Sequence, residues 1–268
     1  MTRATLVDIG INLAHDSYDA DRVQVIERAR AAGVPHLIVT GSSIASTRRA
    51  IELVREHPAA LRATAGVHPH HAHEFSAEQR TELQALMQAE EVCAAGECGL
   101  DYFRDFSPRM DQQRVFRAQL ELAVATRRPV FLHQRDGHAD FISILRDYLP
   151  RLPAAVAHCF TGTRAELDEC LALGLYIGIT GWINDERRGQ LLQELVVSIP
   201  AELIMLETDG PYLLPRDLTP RPASRRNEPM FLPHILATVA RLRGVAADTL
   251  AAQTTANVRR FFGWPATS

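Results

Sequence analysis

Eight short apolar runs, each breaking into polar residues near its C-terminal end, alternate along the chain with longer segments of helical spacing. The runs are TLVDIGINL (5–13), HLIVTG (36–41), RATAGVHPH (62–70), VCAAGECGLD (92–101), PVFLHQRD (129–136), AAVAHCF (154–160), LYIGITGW (175–182) and LIMLETDGPY (203–212). Near-continuous apolar stretches of strand length suit strands covered on both faces. Segments such as 19–33, 112–128 and 138–152 carry apolar residues at helical spacing. Strand and helix in alternation require a parallel sheet with helical crossovers, and eight units in 268 residues favour closure into a (β/α)8 TIM-type barrel of the α/β class. No linker or low-complexity run divides the chain, so a single domain over residues 1–268 is expected. The longest irregular stretch, PRDLTPRPASRRNEP (215–229), follows the eighth run, where such barrels place functional loops.

Composition narrows the function classes. Twenty-nine Lys and Arg against 32 Asp and Glu leave a formal charge of −3, so any polyanion site must be local. Cys93, Cys98, Cys159 and Cys170 form no C-x-x-C pair and read as buried thiols in a reducing, cytoplasmic setting. With neither a leader-like N-terminus nor an apolar run long enough to span a bilayer, no membrane association is expected.

In a parallel barrel every strand C-terminus points to one shared face. The polar residues there are Asp8, Asn12, Thr40, His68, His70, Glu97, His133, His158, Thr180 and Asp209. Glu97, His133, His158 and Asp209, from the fourth, fifth, sixth and eighth runs, would converge on one mouth. Mixed imidazole and carboxylate donors suit a divalent cation: zinc, manganese or iron, with magnesium at the carboxylate-rich side. Asp209 ends the apolar run LIML, so desolvation should raise its pKa and fit it to accept a proton; an Asx-turn before Gly210 and Pro211 is the structural alternative. Glu207 shares its face and is expected to support a ligand from behind.

The loop 215–229 holds Arg216, Arg221, Arg225 and Arg226 against Asp217 and Glu228, and its guanidinium groups suit phosphate, unless they are spent on internal ion pairs. Arg135, two residues past His133, is a further phosphate candidate. Tyr102, Phe103, Trp182 and Tyr212 lie at strand ends where bases could stack.

Six motifs in order, AGVHPH, GECGLDY, HCFTG, YIGITGW, ETDGPYLLPRDL and SRRNEP, resemble the TatD family of metal-dependent deoxyribonucleases within the amidohydrolase-like barrels, and its bacterial members most. The resemblance spans the whole chain. It implies a divalent metal on Glu97, His133, His158 and Asp209 with His68 near the same site, and catalysis by Asp209, Glu97 and His68. It further implies 3′-to-5′ hydrolysis of single-stranded DNA, with RNA as a further substrate, in repair or in clearing DNA fragments. Mg2+ is the expected working ion, with Mn2+ or Zn2+ as alternatives, and a monomer is expected. Related barrels carry His-x-His at the end of the first strand, and the matching positions here read as Asn12, Leu13 and Ala14. One tight metal is therefore expected, with a second held weakly if at all. His15 falls off the strand period and reads as a loop or helix-start residue. Two other readings fit the same residues: hydrolysis of another ester, such as an aminoacyl bond on tRNA, and a barrel that binds without cleaving.

Overall fold

The computed structural model describes residues 5–264. Eight parallel strands, β1 (Val7–Ile11), β2 (His36–Val39), β3 (Leu61–Ala65), β4 (Val92–Asp101), β5 (Val130–Arg135), β6 (Ala155–Ala157), β7 (Tyr176–Ile179) and β8 (Ile204–Leu206), pair in sequence order. A single parallel bridge, Ile11 with Gly210, brings β8 back to β1 and nearly closes the barrel.

The crossovers are α1 (Arg22–Ala31), α2 (Ile44–Glu56), α3 (Ala77–Met87), α4 (Arg109–Thr126), α5 (His138–Arg146), α6 (Arg164–Ala172) and α7 (Gln190–Leu195), followed after β8 by α8 (Leu232–Arg243) and α9 (Ala247–Phe262). Their starts follow local chemistry. Ser43, Ser76 and Thr163 cap α2, α3 and α6 with reciprocal side-chain and backbone hydrogen bonds, satisfying amides that have no partner inside the helix. α1 and α5 are shorter than the segments 19–33 and 138–152 suggested, and the second of these segments closes in a 3-10 turn at Leu149–Arg151.

Two apolar clusters support the site. One packs the outer faces of the strands against the helices. The other joins Val7, Ile9, Ile38, Phe131, Val156 and Met205 to Phe261, Phe262 and Trp264 at the end of α9. Strand alternation puts Phe131 on the face that carries His133, so this second cluster floors the barrel beneath the polar mouth. Among the described residues no helix is long and apolar enough to cross a membrane.

Candidate metal centre

Glu97 lies where the β4–β5 register shifts, between Ala95 and Cys98, and such irregularities re-aim side chains beside active sites. One buried oxygen, Glu97 Oε1, gathers three imidazoles: His158 Nε2 at 2.8 Å, His133 Nδ1 at 3.0 Å and His68 Nε2 at 3.5 Å. These rings come from three other strand ends. Nitrogens of His68 and His133 and an oxygen of Glu97 lie within 4.8 Å of one another, a group able to hold a metal ion. Burial alone would raise the Glu97 carboxyl, but the charges of His68 and His158 and hydrogen bonds to His133 and His158 outweigh it and hold it well below the carboxylate range. Two imidazoles and an ionised carboxylate are a fitting donor set for a divalent cation.

The partners behind these donors are as well defined. His133 turns Nε2 to Asp101 Oδ2 at 3.3 Å, and the same oxygen lies 2.9 Å from His70 Nε2. The other Asp101 oxygen accepts the amides of Phe103 and Arg104. Glu207, fully buried, has Oε2 3.3 Å from His158 Nδ1 and accepts the Cys159 amide on Oε1 at 2.5 Å. Glycine makes room for that carboxylate. A Cβ at Gly10 or at Gly178 would come within 2.4 Å of a Glu207 oxygen.

Asp209 stands beside this group and not within it: Asn12 Nδ2 donates to its Oδ1 at 3.2 Å. Burial pushes its carboxyl up to about 7, with His158 opposing and Glu97 and Glu207 adding to the rise. Asp209 and Cys159 both adopt positive φ, 55° and 45°, a conformation costly for non-glycine residues and often found at functional sites.

The match is to the family described as TatD related DNase, over residues 7–263. The chain belongs to that family. The "3'-5' ssDNA/RNA exonuclease TatD" of Erwinia tasmaniensis is 56% identical over 96% of this chain and 99% of its own length, and the Erwinia amylovora protein of the same name is 55% identical over 96% and 100%. Among solved structures, YJJV, a TatD homologue from Escherichia coli K12, superposes with a TM-score of 0.89 at 26% identity, covering 98% of this chain and all of the other.

Against this TatD framework several sequence expectations need correction. At the end of the first strand Asn12 and Ala14 do not share the site: Asn12 reaches Asp209 and Gly10 faces Glu207, whereas Ala14 packs against the outer core. The β1–β2 register shifts between Asp8 and Ile11, which turns Gly10 toward Glu207, while Leu13 is buried in the outer core. Arg226 is not free for phosphate. Its guanidinium donates to Asp21, Glu228 and the Ser17 carbonyl, all at 2.6–2.7 Å, over the Tyr18 ring. With Asn227, which donates to the Thr208 carbonyl, it straps the loop after β8 to the chain's first turns. Tyr102 and Trp182 are engaged in packing: Arg109 covers one ring and Arg188 the other, the Tyr102 hydroxyl donates to Asp140, and the Trp182 indole N–H donates to the Arg188 carbonyl. Cys98 is buried as expected, whereas Cys159 is only partly buried.

Tyr212 and Arg225 stay exposed, and Arg135 keeps its guanidinium 3.9 Å above the Phe103 ring. His15 caps the first 3-10 turn. Asp101 and His70 have no role in the reading of the sequence; Asp101 stands an even number of residues after Glu97 on β4, the spacing of one strand face, whereas His70 lies in a 3-10 turn that His68 caps.

Proposed function

We propose that this TatD-family protein is a metal-dependent exonuclease that removes nucleotides from the 3′ end of single-stranded DNA, and of RNA, in the cytoplasm, acting as a monomer in repair or in the breakdown of DNA fragments. The observation that carries the reading is Glu97 Oε1, one buried carboxylate oxygen approached by imidazoles from three strands. The names of relatives more than half identical along nearly the whole chain support the substrate and polarity.

Glu97, His133 and His158, with His68 and Asp209 beside them, would hold one divalent cation, Mg2+ in function. When bound, such an ion supplies Lewis acidity toward the phosphoryl oxygen and lowers the pKa of water. Asp209, with its raised carboxyl and a fixed orientation from Asn12, accepts the proton of the attacking water. Arg135 and Arg225 offset charge on the phosphate oxygens, and Tyr212 stacks on a base at the strand end. His158 is kept in one orientation by Glu207, and His133 by Asp101.

The test uses metal-stripped protein, a 5′-labelled single-stranded oligonucleotide and Mg2+, Mn2+ or Zn2+ added back, beside a Glu97→Ala control. A ladder shortening from the 3′ end, dependent on metal and absent in the control, is expected. An oligonucleotide left intact under all three ions would overturn the exonuclease reading and favour another ester as substrate.

A further inference from the structure

The loop joining β4 to α4 exposes large apolar side chains at the rim of the mouth. Phe103 is 54% and Phe106 64% exposed. Each aromatic withholds a large apolar area from burial, and two such rings exposed on one loop mark a binding surface.

Three observations say what binds there. First, the rings connect to the metal centre. Phe106 lies 4.7 Å from the His70 ring, His70 lies 4.1 Å from His68, and His68 lies 4.5 Å from His133, centroid to centroid. Second, the patch is flanked by positive charge. Arg135 sits 3.9 Å and Arg104 5.8 Å from the Phe103 centroid, and among the described residues neither guanidinium has a carboxylate partner. Arg109, the first residue of α4, is paired with Asp105 at 3.5 Å. Third, the chain contains no lysine, so each of these charges is a planar guanidinium that can lie against a ring and still present its N–H edge to phosphate. Apolar protein surface would have to desolvate both unpaired arginines, and a duplex keeps its bases inside. Unstacked bases joined by phosphates satisfy rings and guanidiniums together.

We propose that Phe103 and Phe106 are the stacking platform for the body of the strand, the nucleotides on the 5′ side of the scissile phosphate, with Arg104 and Arg135 as its phosphate contacts. The inference rests on the single-strand reading of the site and extends it. In the eight-strand order β4 stands opposite β8, so Tyr212, exposed on the loop after β8 beside His15, belongs to the other side of the mouth and is left for the terminal base. The wider two-ring side receives the part of the substrate that continues beyond the site.

The test is binding of a fluorescent single-stranded 12-nucleotide DNA, roughly the span of one single-strand groove, to full-length Glu97→Ala protein, with and without Phe103→Ala and Phe106→Ala. Each ring removed should weaken binding about tenfold, the scale of one base stacked on one aromatic, and Phe103→Trp or Phe106→Trp should restore it. Unchanged affinity in the double variant would overturn the platform, as would a wild-type dimer that the double variant dissociates. Hydrolysis of the same strand by the unsubstituted protein is scored in parallel, so a failure of the exonuclease reading is seen separately from a failure of the platform.

Discussion

Asp101 Oδ2 lies 3.3 Å from Nε2 of His133, the ring nitrogen turned away from Glu97. A carboxylate behind an imidazole fixes its orientation and raises its basicity toward a metal, and loss of such a partner commonly costs 10- to 100-fold in affinity. Asp101 is itself rigid. Burial would raise its carboxyl, but hydrogen bonds to His133 and His70 and from the Arg104 amide hold it well below the carboxylate range. Asp101→Asn should therefore raise the Mn2+ dissociation constant by about 10- to 100-fold with the circular dichroism spectrum unchanged. Equal affinity in the two proteins would mean that Asp101 only caps the loop at Phe103 and Arg104.

Gly10 gives a steric prediction at the first strand. A Cβ there would stand 2.4 Å from Glu207 Oε2 and 3.1 Å from Phe131, and Glu207 cannot retreat freely while it holds the Cys159 amide and His158. Gly10→Ala should destabilise the fold by about 1–3 kcal/mol, the usual cost of overpacking, and loosen metal binding through His158. A histidine pair installed by Gly10→His with Asn12→His should gain no second ion, because the Glu207 carboxylate occupies that space. Two ions per chain by metal analysis of the double variant would refute this.

The strands were legible because a parallel barrel buries them on both faces and leaves unbroken apolar runs. β4 coincides with its run, and β3 begins one residue before its own. The convergence of Glu97, His133 and His158 was legible for the same reason, since strand ends share a face. What spacing cannot show is a break in spacing. The irregularity between Asp8 and Ile11 turns Gly10 toward Glu207. Nor can composition say which arginines are spent internally. Arg226 and Arg225 are neighbours in sequence, yet one is bound by Asp21, some two hundred residues away, and the other points to solvent.

That difference is measurable. Arg226 bridges Asp21 and Glu228, and Arg28 closes the same network from α1 at 2.8 Å to each carboxylate. Removing Arg226 leaves largely buried Glu228 with one cation in place of two. Arg226→Ala should lower stability by about 1–3 kcal/mol, within the range for breaking a partly buried charge network, and leave affinity for a single strand within twofold. Arg225→Ala should do the reverse. A variant of Arg226 that keeps its unfolding midpoint but loses nucleic acid binding would return this residue to the phosphate site.

Asp8 makes stability depend on pH in a direction opposite to the usual carboxylate. It is fully buried on β1, with Oδ1 accepting the Thr208 and Gly10 amides and Oδ2 2.5 Å from the Thr208 hydroxyl. Burial pushes its carboxyl up to about 7, although the bonds from Thr208 and Gly10 pull the other way and Glu207 adds to the rise. In the unfolded chain the same group titrates near 3.9. Between those values the folded protein holds a proton that the unfolded chain releases, so the group favours folding most below about pH 4 and progressively less as pH rises to about 7. From pH 5 to pH 8 the loss amounts to up to about 3 kcal/mol. Asparagine resembles the protonated acid, offering an amide N–H to Thr208 and an oxygen to the two backbone amides. The stability of Asp8→Asn relative to wild type, from urea unfolding at pH 5, 6, 7 and 8, should therefore rise steadily with pH. A difference that stays constant over that range would show that Asp8 is already ionised in the folded protein at pH 5.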